Sequence, residues 1–449
     1  MSKNGSVPRL TDNADDKAAK SWIGSSMTLG ALVGALISGP MAQFFGRKKA
    51  LIAYGIPFTI GWLLMAFARS VTIIIIGRII AGFSAGLLSG TAPTYVVEIS
   101  IISIRGFLGA CFQLCVTIGI LMVYVVGAFI DWNYLAGIAA VPTLLMAILM
   151  FFMPETPSWL ISHNKRSEAE QSLKSLRGAG SDTDQEMSQL QEQTKASEQG
   201  QSFSLALYAQ KFHLCPMLLG LGLMFFQQFS GINAVMFYAT SIFSESGSSL
   251  EPKIASIIVG VAQVFATVAG SLLVDRLGRK ILLSASGALH VLSTAALGLY
   301  YYCIGNDATN SDFGWVPLAS LVVFIIGFSI GWGPVPWLMI AEITPDMSRS
   351  ATSAFATAFN WTCAFFVSKY FEALKDAITK HGTFFLFSAC SLLSIVFVVL
   401  ALPETKGKSS EEIQEHFGGP KNTSGRNDGL LKNGNNPSSA GVEMDKLNA

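Results

Sequence analysis

The sequence predicts an all-α polytopic membrane protein, and three observations carry that prediction. Of 449 residues, 51% are hydrophobic and only 13% are charged, whereas a soluble domain carries about a quarter charged residues. The apolar residues fall in runs near the roughly 20 residues with which a helix crosses a ~30 Å hydrocarbon layer. Backbone groups there have no water to bond, so such runs are helices. Third, short charged strings from the first half of the chain return in the second half. The net charge of +1 makes no case for a nucleic-acid partner. Cys111, Cys115, Cys215, Cys303, Cys363 and Cys390 lie in or near apolar runs without metal-ligand spacing. They read as small buried residues, and no metal or cofactor is expected.

A polar N-terminal tail, 1–21, lacks the apolar core of a signal peptide. Five spans follow, at 22–44, 50–69, 72–97, 106–129 and 133–153, and form a first bundle over 22–153. Residues 154–212 are polar and include "RSEAEQSLKSLRG", with helical spacing and mixed charge, so they read as a cytoplasmic linker with short helices. Six more spans, at 216–243, 254–274, 281–304, 315–341, 351–373 and 383–402, form a second bundle over 213–402. The total is eleven, five and six. The tail 403–449 ends in "KNTSGRNDGLLKNGNNPSSAG", a composition expected to stay largely disordered.

Orientation follows Lys and Arg in the short loops. Arg47, Lys48 and Lys49, then Arg105, the linker, Arg276, Arg279 and Lys280, Arg349, and Lys406 with Lys408 all fall on one side. That side is expected to be cytoplasmic, which puts the C-terminus inside and the N-terminus outside.

The halves repeat. "GRKK" at 46–49 returns as "GRK" at 278–280; "VEISIISIRG" at 97–106 returns as "AEITPDMSRS" at 341–350; "FMPETPSW" at 152–159 returns as "ALPETKGK" at 401–408. Glu98 and Arg105 stand seven apart, as do Glu342 and Arg349. Each charged turn closes a span on the cytoplasmic side. Its cations, Arg47 and Lys48 or Asp275's neighbours Arg276, Arg279 and Lys280, are expected to reach Glu98 or Glu342 of the same half. Ion pairs of this kind lock one face and break when the bundles rock. Arg78, near the middle of the span 72–97, is grouped with them as a gate residue. A plain positive-inside anchor is the competing reading.

The strings "GRIIAG" (77–82), "PETPSWL" (154–160), "QQFSGINAVMFYATSIF" (227–243), "DRLGRK" (275–280), "GPVPWLMIAE" (333–342) and "PETKG" (403–407) resemble the sugar porter branch of the major facilitator superfamily. The resemblance covers 22–415. The runs "GFSIGWGPVPWLMIAEITP" and "ATAFNWTCAFFVSKYF" look most like insect trehalose and hexose facilitators. It implies the major facilitator fold, two pseudo-repeated bundles with substrate held between them at mid-depth. The first matching segment, "SWIGSSMTLGALVGALISGPMAQFFGRK", is similar to the second span of family members, so their first span is expected to be missing. Gln43 and Phe44 stand where the family has Asp and Arg, which predicts a weaker first gate.

A sugar needs amide donors and acceptors and an aromatic face. The chain offers Gln113, Gln227, Gln228, Asn233, Gln263, Asn360, Trp337 and Trp361. Of these, Gln113, Gln227, Gln228, Asn233 and Trp337 match family sugar contacts. Gln228 and Asn233 are five apart, about 140° around a helix, so Gly231 must bend the helix to join them. Bonding between helices is the competing role for such amides. Ser329 and Ala364 replace larger polar residues of hexose members and make room for a disaccharide. Gly331, Gly333, Pro334 and Pro336 in "GWGPVPW" break helical bonding and are expected to form a hinge.

"GFSAG" (82–86) and "GFSIG" (327–331) match the hydrolase elbow G-x-S-x-G, but lie in apolar helices and read as small residues for close helix contact. An enzyme is excluded on this reading. The expected function is facilitated transport of trehalose or hexose by alternating access, in the plasma membrane. A non-transporting sugar sensor and a proton-coupled symporter stay open beside it. The partners are a small-molecule sugar and the lipid bilayer, and oligomeric state is not readable.

Overall fold

The computed structural model describes residues 14–101, 104–178, 183–200, 208, 210–244, 251–304 and 313–419. Helix α1 (Ala14–Phe45) opens the chain, followed by α2 (Arg47–Ala66), α3 (Val71–Ile99), α4 (Arg105–Phe129) and α5 (Trp132–Phe152). Three shorter helices, α6 (Pro157–Ser162), α7 (Arg166–Arg177) and α8 (Asp184–Gly200), lie between the halves of the chain. The second half holds α9 (Lys211–Phe229), α10 (Ile232–Ser244), α11 (Pro252–Leu277) and α12 (Arg279–Ile304). It closes with α13 (Val316–Ile330), α14 (Val335–Ile343), α15 (Asp346–Ala401) and α16 (Ser410–His416).

Ten stretches among the described residues are long and apolar enough to cross a membrane. The last covers 55 residues. It is broken where Ile378 and Thr379 leave helical geometry (Thr379 φ 69, ψ 166). Thr379 Oγ1 accepts the Gly382 N–H at 3.3 Å, so the hydroxyl caps the second arm of α15 as an N-cap does.

Helix α1 starts at Ala14, inside the segment read as a polar tail. "ADDKAAK" explains the extension, since Ala and Lys are strong helix formers. Past the last apolar run, Ser409 and Glu412 form a reciprocal capping box that starts α16. Ile413 and Phe417 then bury under α14 in one cluster with Leu219, Leu283 and Ile343. The tail is thus ordered to residue 419, and 420–449 lie outside the described residues.

In the first half, α1 packs along α3, and α2 against α3 and α5. The glycines of the false hydrolase motif explain how close α1 and α3 come. A methyl added to Gly82 or Gly86 would overlap the backbone carbonyl of Met27 or Ala31. Gly30 and Gly34 answer from the other side against Ile79 and Phe83. Lipid offers no hydrophobic gain for helix association, so backbone approach of this kind supplies the packing. In the second half, α12 packs on α15 and α13, α9 on α15, and α11 on α13.

The halves meet along α1 with α15 and α4 with α11. Bonds between them cluster at the end far from α6–α8. Lys17 Nζ meets Asp376 at 3.1 Å, Ser21 Oγ donates to the Lys369 carbonyl, and Lys369 Nζ lies 3.7 Å above the Trp22 ring. Lys253 Nζ donates to the Ala128 carbonyl at 3.0 Å and Tyr124 to the Met236 carbonyl at 3.4 Å. This end of the molecule is held closed.

Candidate functional site

Two helices of the second half break at mid-length, and the breaks face one another across a row of amides. The first break parts α9 from α10. Gly231 adopts φ 96, and a methyl there would come within 2.8 Å of the Phe387 ring, so glycine is required twice over. The second parts α13 from α14. Pro334 and Pro336 bring no N–H, and Gly333 N–H reaches the Phe328 carbonyl at 2.7 Å in place of a regular helical bond. Ser286 on α12 bridges this break, accepting the Trp332 N–H at 3.2 Å and donating to the Gly327 carbonyl at 2.6 Å.

The amides run between the breaks. Asn233 Nδ2 donates to Gln228 Oε1, and Gln228 Nε2 to Asn360 Oδ1 at 3.0 Å. Asn360 Nδ2 donates to Gln227 Oε1 at 2.6 Å. Gln227 Nε2 ends the row on the Trp332 carbonyl at 2.7 Å and the Gly333 carbonyl at 3.1 Å. All links run donor to acceptor in one sense, so each polarises the next. Gln227, Gln228 and Asn360 are buried. Nearby α11 and α13 add Gln263 Oε1 and Ser329 Oγ, buried with no hydrogen-bond partner. Hydroxyl groups can enter such a row at small net cost, since each amide bond given up is replaced in kind.

Four predicted amides, Gln227, Gln228, Asn233 and Asn360, therefore come together, and the bend at Gly231 is what joins the pair five residues apart. Gln263 is buried on α11 without a bond at its carbonyl oxygen. Trp361 follows Asn360 on α15, half-buried. Trp337 is 41% exposed in the first turn of α14, outside the row. Gln113 stands half-buried on α4, in the other half of the molecule. Gly331, Gly333, Pro334 and Pro336 sit at the second break, as their composition predicts.

The charged turns lie at the linker end. Arg47 Nη2 pairs with Glu98 at 2.9 Å, and Arg279 Nη2 with Glu342 at 2.9 Å. Asp275 supports Arg279 at 3.4 Å, while the neutral Gln43 accepts from Arg47 at 3.0 Å. Sequence reading missed a second carboxylate in each turn. Glu155 accepts the Lys48 N–H at 3.1 Å, and Glu404 accepts the Arg279 and Lys280 N–H groups at 3.1 and 3.0 Å. Each carboxylate thus caps the first turn of a helix and meets its positive dipole end. The repeat of "PET" beside the repeat of "GRK" was the signal for it. Burial raises the Glu404 pKa, but the N–H groups of Lys406, Lys280, Arg279 and Thr405 outweigh it and hold the carboxyl below its ordinary value.

The other gate residues take several places. Lys48 and Lys280 do not pair with carboxylates through their ammonium groups: these donate to the Phe151 and Leu402 carbonyls, capping the C-termini of α5 and α15. Arg276 is exposed in the last turn of α11, and its carbonyl accepts from the Lys406 ammonium at 2.6 Å. Arg349 donates to the Thr344 carbonyl at 3.3 Å. The Arg105 side chain lies outside the described residues. Arg78 forms no ion pair with a described carboxylate, because the acids near it already hold lysines: Asp376 holds Lys17 and Glu372 holds Lys375. Its Nε is buried without a partner.

A family model described as "Sugar (and other) transporter" matches residues 2–417. The chain is 43% identical to the facilitated trehalose transporter Tret1 of Bombyx mori, over 88% of this chain and 78% of that one. It is 42% identical to Tret1 of Culex quinquefasciatus, over 89% of this chain and 77% of that one. Among solved structures, the proton:xylose symporter XylE bound to 6-bromo-6-deoxy-D-glucose superposes with a TM-score of 0.75 at 28% identity, covering 91% of both chains.

Proposed function

Since this chain belongs to the sugar (and other) transporter family, a family of membrane transporters and not of enzymes, we propose that it moves trehalose or a hexose down its gradient by alternating access. The amide row carries the reading. It joins α9, α10 and α15 to the open carbonyls of the second helix break. A sugar hydroxyl that takes over an amide of Gln227 or Gln228 loosens the bonds that fix Trp332 and Gly333. Binding and bending are thereby linked at one place, and the differential contact moves the bundles. Gln263 Oε1 and Ser329 Oγ, buried without partners, supply further positions for hydroxyls. The small Ser329 and Ala364 leave room for a disaccharide, and the relatives named for trehalose favour that sugar.

Facilitated diffusion fits the placement of charge. Among the described residues, the acids of the membrane-length helices, such as Glu98 and Asp275, lie within about two turns of a helix end, and Glu372 as close to the break in α15, and a proton relay needs an ionisable group at depth. The linker and C-terminus face the cytoplasm of a plasma-membrane protein, as the Lys and Arg bias directs. Eleven crossings follow if each arm of α15 spans the bilayer.

Liposome flux with labelled trehalose and glucose tests the reading. Gln228→Ala and Asn233→Ala are expected to abolish flux with expression unchanged. Retained flux in both would remove the amide row from the sugar path. Sugar binding with no flux in the unaltered chain would make it a sensor.

A further inference from the structure

The backbone bonds at the second break fall in an unusual order, and the sequence explains part of it. Pro336 has no N–H, so the Trp332 carbonyl lacks the donor that a helix supplies four residues on. Gln227 Nε2 fills that place at 2.7 Å. Beside it the register slips. Gly333 N–H reaches back five residues, to the Phe328 carbonyl at 2.7 Å. That carbonyl is the one Trp332 N–H would hold in a regular helix. Single slips of this kind occur mostly at functional sites. Trp332 is 1% exposed, so its displaced N–H needs another acceptor inside the protein. Ser286 Oγ of α12 supplies it at 3.2 Å, and the same buried hydroxyl donates to the Gly327 carbonyl at 2.6 Å.

Helix α12 is shaped to this contact. Leu282 and Ser286 stand about one turn apart on one face. Gly331 lies against both: a methyl there would come within 2.5 Å of Ser286 Cβ and 2.7 Å of the Leu282 carbonyl oxygen. Arg279 precedes Ser286 by seven residues on the same face and pairs with Glu342, near the far end of α14, at 2.9 Å. Helix α12 therefore holds α14 at both ends, by an ion pair at the linker end and by one hydroxyl at the break. Trp332 in turn is gripped on two sides, its carbonyl by Gln227 and its N–H by Ser286. A sugar that draws Gln227 away frees only the first.

We propose that Ser286 is a positioning residue for transport, a role that rests on the transport reading above: its hydroxyl keeps the slipped register at the second break and is the fixed point about which α14 swings when Arg279 and Glu342 part. Without the hydroxyl, Trp332 N–H competes with Gly333 N–H for the Phe328 carbonyl, and the break loses its single geometry.

Hydrogen exchange of the full chain in detergent, read by mass spectrometry on peptides spanning 331–333, tests the bond without requiring transport. Ser286→Ala is expected to speed exchange there about fivefold, the factor that one ordinary hydrogen bond is worth. Ser286→Cys, close in shape but with a weakly bonding sulfur, is expected to fall between the alanine variant and the unaltered chain. Ser293→Ala is the control. Ser293 is also buried on α12, but its hydroxyl serves its own helix, donating to the His290 carbonyl at 3.1 Å. In liposomes, Ser286→Ala is expected to lower maximal flux severalfold while equilibrium sugar binding moves much less, and Ser293→Ala to change neither. Exchange at 331–333 that ignores Ser286→Ala, or that responds as strongly to Ser293→Ala, overturns the proposal, as does full flux in Ser286→Ala. Absence of flux in the unaltered chain would count against the transport reading, whereas the exchange result decides the Ser286 bond by itself.

Discussion

At the linker end of α2, Arg47 meets Glu98 at 2.9 Å; at the same end of α12, Arg279 meets Glu342 at 2.9 Å. Around these equal pairs the two turns differ. Glu342 uses both oxygens, since Thr405 Oγ1 donates to its Oε2 at 2.6 Å. Glu98 Oε2 is buried without a partner, and so is the hydroxyl of Thr156, the counterpart of Thr405 in the repeated "PET". Arg279 has a charged helper in Asp275, whereas Arg47 has the neutral Gln43. The glycines reverse the order. A methyl on Gly46 would overlap Glu155 Oε2, whereas one on Gly278 would stand 3.0 Å from Glu404 Oε2. The same plan therefore yields one turn saturated in side-chain bonds and one that depends more on its backbone. If the alternating-access proposal holds, the two pairs, one in each half, give way at different loads, the first-half pair before the second.

Breaking the ion pairs should give the largest effect. Glu342→Ala leaves Arg279, which is 12% exposed, with the exposed Asp275 alone and unbonds Thr405 as well, and is expected to cost about 3 kcal/mol in thermal unfolding. Glu98→Ala removes a carboxylate already half unbonded and is expected to cost about 2 kcal/mol. Equal losses would erase the asymmetry. The glycines should follow. Gly46 (φ 87, ψ 155) and Gly278 (φ 92, ψ 160) occupy a region closed to side chains, so alanine at either is expected to cost about 2 kcal/mol, with Gly46→Ala the worse. Thr405→Val should lose about 1 kcal/mol, while Thr156→Val should be neutral within error. A matching loss at both would mean that Glu98 has a partner after all.

The smallest effect is one of pH. Glu404 is held below its ordinary pKa, so its ionised form is the one the fold favours. Its contribution is complete above the unfolded carboxylate pKa, roughly 4.3. It disappears as pH falls through the lower folded value. Unfolding midpoints of the unaltered chain and Glu404→Gln should therefore differ at neutral pH and converge only in strong acid. A constant gap down to pH 2 would assign the difference to shape and not to charge.

Much of this was legible in the sequence. Apolar length located the long helices, and Gly231 and "GWGPVPW" located both breaks. Four amides of the row could be named because a buried amide in an apolar run must find a partner. The PET carboxylates were harder, because their partners are backbone N–H groups more than a hundred residues away. Such bonds leave no mark on side-chain spacing. Lys48 and Lys280 misled for a related reason: an ammonium group bonds a helix's last carbonyls as readily as a carboxylate, and charge alone does not say which. Arg78 looked like a partner for an acid, and only the geometry shows that the acids at hand already hold lysines.

Crosslinking the closed end tests the transport account most directly. Cysteines at 17 and 376, where Lys17 and Asp376 meet at 3.1 Å, are joined by a short cleavable bifunctional thiol reagent in a background without the six native cysteines. Labelled trehalose or glucose is expected to stop crossing liposomes when the link is in place and to cross again when it is cleaved. Undiminished flux through the linked protein would contradict it.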